Sequence, residues 1–377
     1  MKIAYIINSL ECGGAQLPIP NIVSLIRARG GDVTVFGLEK RNGLAIPHLE
    51  RHHIPYRVRT GSLKDHFSAL QWLKHELKEF QPDLIWTSLT RAALLGQIVA
   101  NKMNLPIVHW QHSARLKPSN ALLLKLLCKR TALWIADSPS VEDFTRKALN
   151  LKNNLTYWPI FRADPSAPIA KPYNDQEPIR IGSLGRLHPV KGYDILCEAI
   201  HLLKDHPNLP KFELLFAGDG PEREKLEKIV SEKKLPVQFV GHCDEPFSFL
   251  SSLHLYVQPS HWEGMCVAAH EAMSCALPII ATPAGEIPQT VDDGRSGIIV
   301  PFNNAPALAA ALAKLLQTPE KLQLMGRQSR QRVFKRFGPE AFIKHGHEAI
   351  NQIPGFNVLK DDASYSSSPV LDQSQSA

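Results

Sequence analysis

The sequence predicts an α/β protein of two Rossmann-like, doubly wound domains facing across a cleft. Three observations predict it. Short apolar runs alternate with helix-period patterns through residues 1–160, a proline-dense stretch interrupts them, and the alternation restarts over residues 179–336. A chain of 377 residues is long for one hydrophobic core and suits two.

In the first half, residues 3–7, 33–36, 83–87, 106–110 and 133–136 are apolar runs of strand length. Helical spacing falls between them at 22–29, 66–80 and 91–103. Prolines at 159, 165, 168, 172 and 178 then remove ladder donors and fix the backbone, so 161–178 is expected as a linker. Strands resume at 179–184, 212–217, 237–240, 254–258, 278–282 and 297–300. Helices are expected at 193–204, 221–233, 267–275, 305–316 and 319–334. A C-terminal helix within 337–353 and a disordered Ser-, Asp- and Gln-rich tail over 354–377 complete the reading.

Composition narrows the function classes. Hydrophobic content of 44% is that of a soluble globular protein, and no run reaches the roughly 18 apolar residues of a membrane span. The apolar N-terminus is too short for a signal peptide. The six cysteines form no CxxC pair, which predicts reduced thiols in the cytoplasm. Residues 1–160 hold 21 Lys/Arg against 11 Asp/Glu, net +10, and the remainder holds 22 against 25, net −3. A basic first half points to an anionic partner, either a phosphate-bearing substrate or an anionic membrane surface on the inner face of the cell membrane. No reader motif or basic-aromatic ladder supports nucleic acid.

Four loops should converge on the cleft, because open parallel sheets bind ligands beyond the carboxyl ends of their strands. The first holds Gly13 and Gly14, with Gln16 following; its glycines admit a ligand close to backbone amides, though GxGxxG is absent and a plain tight turn is the competing reading. The second runs from Gly185 through Arg186 and Lys191 to Gly192, two cations able to neutralise a pyrophosphate without a metal. The third carries Glu263 and Glu271, eight positions apart; at about 100° per residue that spacing returns to one helix face. The fourth, 284–289, opens another helix.

His112 ends the strand 106–110 region, where a histidine reaches the cleft. His109 and His112 form an HxxH spacing, but strand geometry sends them to opposite faces and no further ligand lies nearby in sequence, so no metal site is expected. His52, His53, His345 and His347 read as surface histidines. Residues 115–130 read as a basic amphipathic helix suited to a membrane interface, or else packed on its own sheet.

Taken together, Gly13-Gly14, His112, Gly185-Arg186, Lys191-Gly192, Gly218-Asp219-Gly220-Pro221, Pro259-Ser260 and Glu263-to-Glu271 make the chain resemble the retaining glycosyltransferases of the GT-B fold, family four, of the bacterial envelope polysaccharide and lipopolysaccharide type. The resemblance spans about residues 1–350 and is densest over 179–300. It implies a nucleotide-sugar donor, GDP-mannose or a UDP-hexose, held mainly by the second domain. Glu271 would hold the ribose, Arg186 and Lys191 the diphosphate, and Glu263 the donor-sugar hydroxyls. Amides at Met265, Cys266 and Val267 would face sugar or phosphate, and the base would lie near Gly241. His112 would orient the reacting centre, with Gly14 and Gln16 beside the acceptor, which is lipid-linked or a saccharide. The family transfers with retention and no metal or other cofactor is implied. The pattern departs at Cys266, commonly a glycine, at Gln289, commonly an acid, and at His254, commonly an aspartate. A nucleotide-sugar 2-epimerase of similar architecture and a non-catalytic nucleotide-sugar-binding protein are the alternatives; neither needs all five of His112, Arg186, Lys191, Glu263 and Glu271.

Overall fold

A computed structural model of the chain describes residues 1–127, 131–204, 206 and 208–356. Its first domain is a seven-stranded sheet in the order β3-β2-β1-β4-β5-β6-β7, and every pairing is parallel. The strands are β1 (Lys2–Ile7), β2 (Asp32–Gly37), β3 (Tyr56–Val58), β4 (Leu84–Ser88), β5 (Ile107–Gln111), β6 (Leu133–Ala136) and β7 (Leu155–Tyr157). Helices α1 (Ile19–Ala28), α2 (Ile46–Arg51), α3 (His66–Phe80), α4 (Thr90–Met103), α5 (Pro118–Leu127) and α6 (Pro139–Leu149) connect them. The strand period of two explains the layers. Ile3, Tyr5 and Ile7 join one core with α1, while Ala4 and Ile6 face the other with α3 and α4.

The second domain repeats the design with a six-stranded parallel sheet, β10-β9-β8-β11-β12-β13. Its strands are β8 (Ile179–Leu184), β9 (Phe212–Ala217), β10 (Val237–Gly241), β11 (Leu255–Gln258), β12 (Ile279–Ala281) and β13 (Gly297–Ile299). Its helices are α7 (Tyr193–Leu203), α8 (Arg223–Lys233), α9 (Pro246–Ser251), α10 (Val267–Ser274), α11 (Ile287–Thr290), α12 (Ala305–Leu316) and α13 (Glu320–Phe337), followed by α14 (Pro339–Ile350). The two Rossmann-like sheets give the fold class read from the sequence.

The expected strands are present, but β3 and β7 were not anticipated. Each is a three-residue edge strand, and Tyr56-Arg57-Val58 breaks any apolar run. Helix α6 was also missed, although Ser138 caps it by accepting from the Val141 amide at 3.2 Å and Pro139 opens it.

The domains are tied together at the back. The Ala163 amide donates to the Phe337 carbonyl at 2.7 Å, and Arg330 donates to the Pro165 and Ala167 carbonyls, pinning the proline-rich segment to α13. Helix α14 then packs on α1 and β7 of the first sheet, where the Trp158 and Phe342 rings lie 5.5 Å apart, tilted at 56°. Residues 357–377 of the expected tail lie outside the described residues.

Candidate active site

The carboxyl ends of the strands carry the loops singled out above, and backbone contact brings three of them together. A Cβ on Gly264 would fall 1.9 Å from the His112 carbonyl oxygen, and one on Gly285 would fall 2.1 Å from the Gly264 carbonyl oxygen. Only glycine permits that nesting at Gly264. The Glu286 amide completes it by donating to the Gly264 carbonyl at 3.1 Å. The loops bearing His112, Glu263 and Glu286 therefore share one junction between the lobes.

Glu263 belongs to the loop, not to the helix. Helix α10 starts only at Val267, after Cys266 has turned into the left-handed region at φ 59°. The helical-face argument for the two glutamates is thus corrected: loop folding, rather than helical periodicity, places Glu263. Its Oε1 accepts from Lys191 Nζ at 2.7 Å, Ser260 Oγ at 2.7 Å and Gln258 Nε2 at 3.2 Å. Burial alone would lower the Lys191 pKa, but the Glu263 charge outweighs it and the ammonium is held above its ordinary range. Arg186 is exposed and has no side-chain bond among the described residues. Its loop is braced by the Gly218-to-Gly220 turn, since a Cβ on Gly218 would stand 2.1 Å from the Gly185 carbonyl oxygen.

Glu271 sits on the second turn of α10, half-buried. Burial pushes its carboxyl up to about 7. Its charge is felt by Cys12 in the first lobe and by Cys243 and Tyr256 in the second. It accordingly lies between the Gly13-Gly14 loop and the segment after β10. Gly241 ends that strand at φ 79°, its carbonyl accepting from the Gly218 amide at 2.6 Å. Across the lobes, a Cβ on Gly14 would meet Val267 Cγ2 at 3.4 Å, and one on Gly13 would meet Gln16 Oε1 at 3.0 Å. Gln16 is buried and its amide donates to the Ser9 carbonyl at 3.2 Å, which braces the glycine loop.

His112 is held from both sides. Its Nδ1 lies 2.9 Å from Asp137 Oδ2 and its Nε2 lies 2.7 Å from Ser88 Oγ. Trp110 Nε1 donates to the same Asp137 at 2.5 Å, and the two rings of Trp110 and His112 stack at 5.9 Å. Ser88, His112 and Asp137 follow the order of a hydrolase triad, yet Ser88 is fully buried and cannot meet a substrate. The array orients an imidazole. Sequence reading missed Ser88, Trp110 and Asp137; their only signal is a position at the end of a strand, Ser88 on β4, Trp110 on β5 and Asp137 just after β6.

Other expectations meet a specific geometry. His109 is buried against Thr87 and Gln97, and burial pushes its imidazole down to about 3, which keeps it neutral. Among the described residues no group of three or more His, Cys, Asp or Glu is placed to hold a metal ion. Met265 and Cys266 are buried, and the Cys266 thiol, at the position commonly a glycine, packs inward and donates to the Ala284 carbonyl at 3.5 Å. His345 and His347 are half-buried rather than on the surface, His345 lying 4.8 Å from the Tyr157 ring. Glu286, fully buried, pairs with Arg336. His254 Nδ1 accepts from the Arg180 amide, a packing role. Helix α5 leaves Leu122, Leu123 and Leu126 exposed beside Lys125.

Comparison with known proteins converges on one group. Residues 13–160 match the family model described as Glycosyltransferase Family 4, and residues 168–332 match that described as Glycosyl transferases group 1. Over 340 residues the chain is 25% identical to an uncharacterized glycosyltransferase of Haemophilus influenzae, covering 86% of this chain and 93% of that one. It is 23% identical over 397 residues to a D-inositol 3-phosphate glycosyltransferase of Corynebacterium jeikeium, covering 91% and 93%. Among solved structures, HepE of Anabaena in complex with UDP-glucose superposes with a TM-score of 0.82 at 21% identity, over 94% of this chain and 100% of that one. Sucrose-phosphate synthase of Thermosynechococcus elongatus gives 0.77 at 21% identity, over 93% and 98%.

Proposed function

We propose that this chain, a glycosyltransferase of the GT-B type through both of its domains, moves a hexose from a nucleotide sugar to a lipid-linked or saccharide acceptor with retention at the anomeric carbon. The observation that carries this reading is the meeting of Lys191 and Glu263 at 2.7 Å, on the loop whose Gly264 touches the backbone of His112. A cation for the leaving diphosphate, an acid for sugar hydroxyls and an oriented imidazole then occupy one junction.

In this reading Arg186 and Lys191 stabilise the charge that grows on the leaving diphosphate, and do so without a metal ion or other cofactor. Glu271 binds the ribose hydroxyls, and Gly13, Gly14, Gly185, Gly241 and the amides at Met265, Cys266 and Val267 line the donor. The diphosphate takes the acceptor proton on the face from which it departs, and His112 orients the sugar. Gly14 and Gln16 lie toward the acceptor. HepE binds UDP and UDP-glucose, which makes uridine donors the first to test. The structural resemblance to the lipopolysaccharide outer core galactosyltransferase WaaB, at a TM-score of 0.70, supports a cell-envelope acceptor. No helix among the described residues is long and apolar enough to cross a membrane. The exposed leucines of α5 and the basic first domain support peripheral attachment to an anionic inner-membrane surface, with no nucleic-acid partner.

The test is to incubate the protein with UDP-glucose, UDP-galactose and GDP-mannose in turn, without acceptor. Slow release of nucleoside diphosphate and a free hexose first formed as the α anomer is the expected result. Formation of an epimer would overturn the transferase reading in favour of an epimerase, and a bound but intact donor would favour a binding protein.

A further inference from the structure

Arg115 and Trp262 come from opposite lobes, and the guanidinium carbon stands 4.4 Å from the indole centroid. Trp262 nevertheless remains 46% exposed, whereas Trp86, Trp110, Trp134 and Trp158 are fully buried. An indole left in water forgoes much of the apolar stabilisation that burial supplies, and this one adjoins Glu263 in the chain. Its neighbours say where it stands. Trp262 directly precedes Glu263, and Arg115 follows His112 by three residues. The ring therefore stands at the solvent rim between the two loops that form the catalytic junction. Glu271, on the second turn of α10, is half-buried where Trp262 is exposed.

We propose that Trp262 is an acceptor subsite whose open face stacks the apolar C–H face of a pyranose, and that the reacting end of the acceptor is therefore a sugar ring. The inference rests on the glycosyltransferase reading above and names the acceptor class for it. A pyranose offers polarised C–H bonds on one face, and the negative face of an indole attracts them while the ring supplies a large, flat contact. Arg115 holds the indole from the first lobe, so the platform exists only when the lobes are apposed. A donor seated on the deeper residues leaves this rim to the second substrate, which arrives from solvent.

The experiment compares the full-length protein with Trp262→Phe and Trp262→Ala, using the hexose donor it hydrolyses and maltose, lactose, p-nitrophenyl α-glucoside and glycerol as acceptor probes. The expected result is turnover of at least one glycoside, with its KM raised about three- to tenfold by Trp262→Ala and much less by Trp262→Phe, the loss typical of one aromatic contact. The KM for donor should stay within about twofold. An unchanged glycoside KM in Trp262→Ala overturns the proposal, as do donor and acceptor KM values rising together, the signature of a lobe clasp alone. Turnover of glycerol but of no glycoside also overturns it. So does donor hydrolysis with neither glycoside turnover nor a glycoside-induced change in Trp262 fluorescence, scored against Trp262→Phe. Failure to hydrolyse any donor is a different result: it removes the transferase reading itself.

Discussion

Gly264 and the His112 carbonyl oxygen approach so closely that a methyl group on the glycine would stand 1.9 Å from that oxygen. The contact joins the lobe that carries the imidazole to the lobe that carries Glu263, and both partners are backbone. Neither can swing aside like a flexible side chain. For Gly264→Ala the lobes must separate or the loop must refold, and displacing a reacting group by about 1 Å can cost about 100-fold in rate. We expect a loss of that order in kcat, with melting temperature far less affected. Steady-state kinetics beside a thermal melt checks it.

Glu263 gathers three donors on one carboxylate oxygen. Glu263→Ala releases Lys191 from its partner and, under the proposed role, removes the contact to the donor sugar. Turnover should fall by about 100- to 1000-fold, the range for losing one electrostatic contact to a reacting centre. Calorimetric titration with UDP and GDP should show little change in nucleoside diphosphate affinity. Surviving turnover would refute the role given to Glu263.

Glu271 titrates at about 7 in the folded chain, against an ordinary 4.5, because burial disfavours its charge. Between those values the folded state holds a proton that the unfolded state has lost, so stability falls as pH rises through the window. The shift corresponds to about 2 kcal/mol after allowance for partial exposure. Thermal melts from pH 4.5 to 8 should show this slope in the parent and lose it in Glu271→Gln. If Glu271 holds the ribose as proposed, the same variant should bind nucleoside diphosphate more weakly.

Asp137 fixes the tautomer of His112 through the 2.9 Å contact to Nδ1, with Nε2 meeting Ser88 Oγ at 2.7 Å on the other side. In Asp137→Asn the amide can donate to Nδ1 and reverse the tautomer, as happens when a triad aspartate is replaced by asparagine. A kcat loss on the order of 100-fold, with donor KM nearly unchanged, is the expected outcome. Equal loss of donor affinity would mean that Asp137 shapes the pocket rather than the imidazole.

Helix α5 exposes Leu122 and Leu126 at 59% and 60%. Replacing both with glutamate should leave the melting temperature within a few degrees, because neither is packed. Co-sedimentation with vesicles rich in phosphatidylglycerol should fall several-fold, while vesicles of phosphatidylcholine should bind neither protein. Undiminished sedimentation would remove α5 as a membrane-binding element.

Local pattern carries much of this protein on its own. The period-two and period-3.6 rhythms marked the central strands and most of the long helices, because each depends only on neighbours in the chain. Glycine and charge at strand ends marked Gly13, Gly14, Gly185, Arg186, Lys191, Glu263 and Glu271 for the same reason. Edge strands such as β3 escaped, since three residues with Arg57 at the centre carry no period. Tertiary structure alone decided that Glu263 pairs with Lys191, 72 positions away. It alone recruited Ser88 and Asp137 around His112, and set Arg115 of one lobe over Trp262 of the other. Those relationships depend on how two sheets dock, and docking is settled by backbone contacts such as Gly264 on His112, to which no sequence period corresponds.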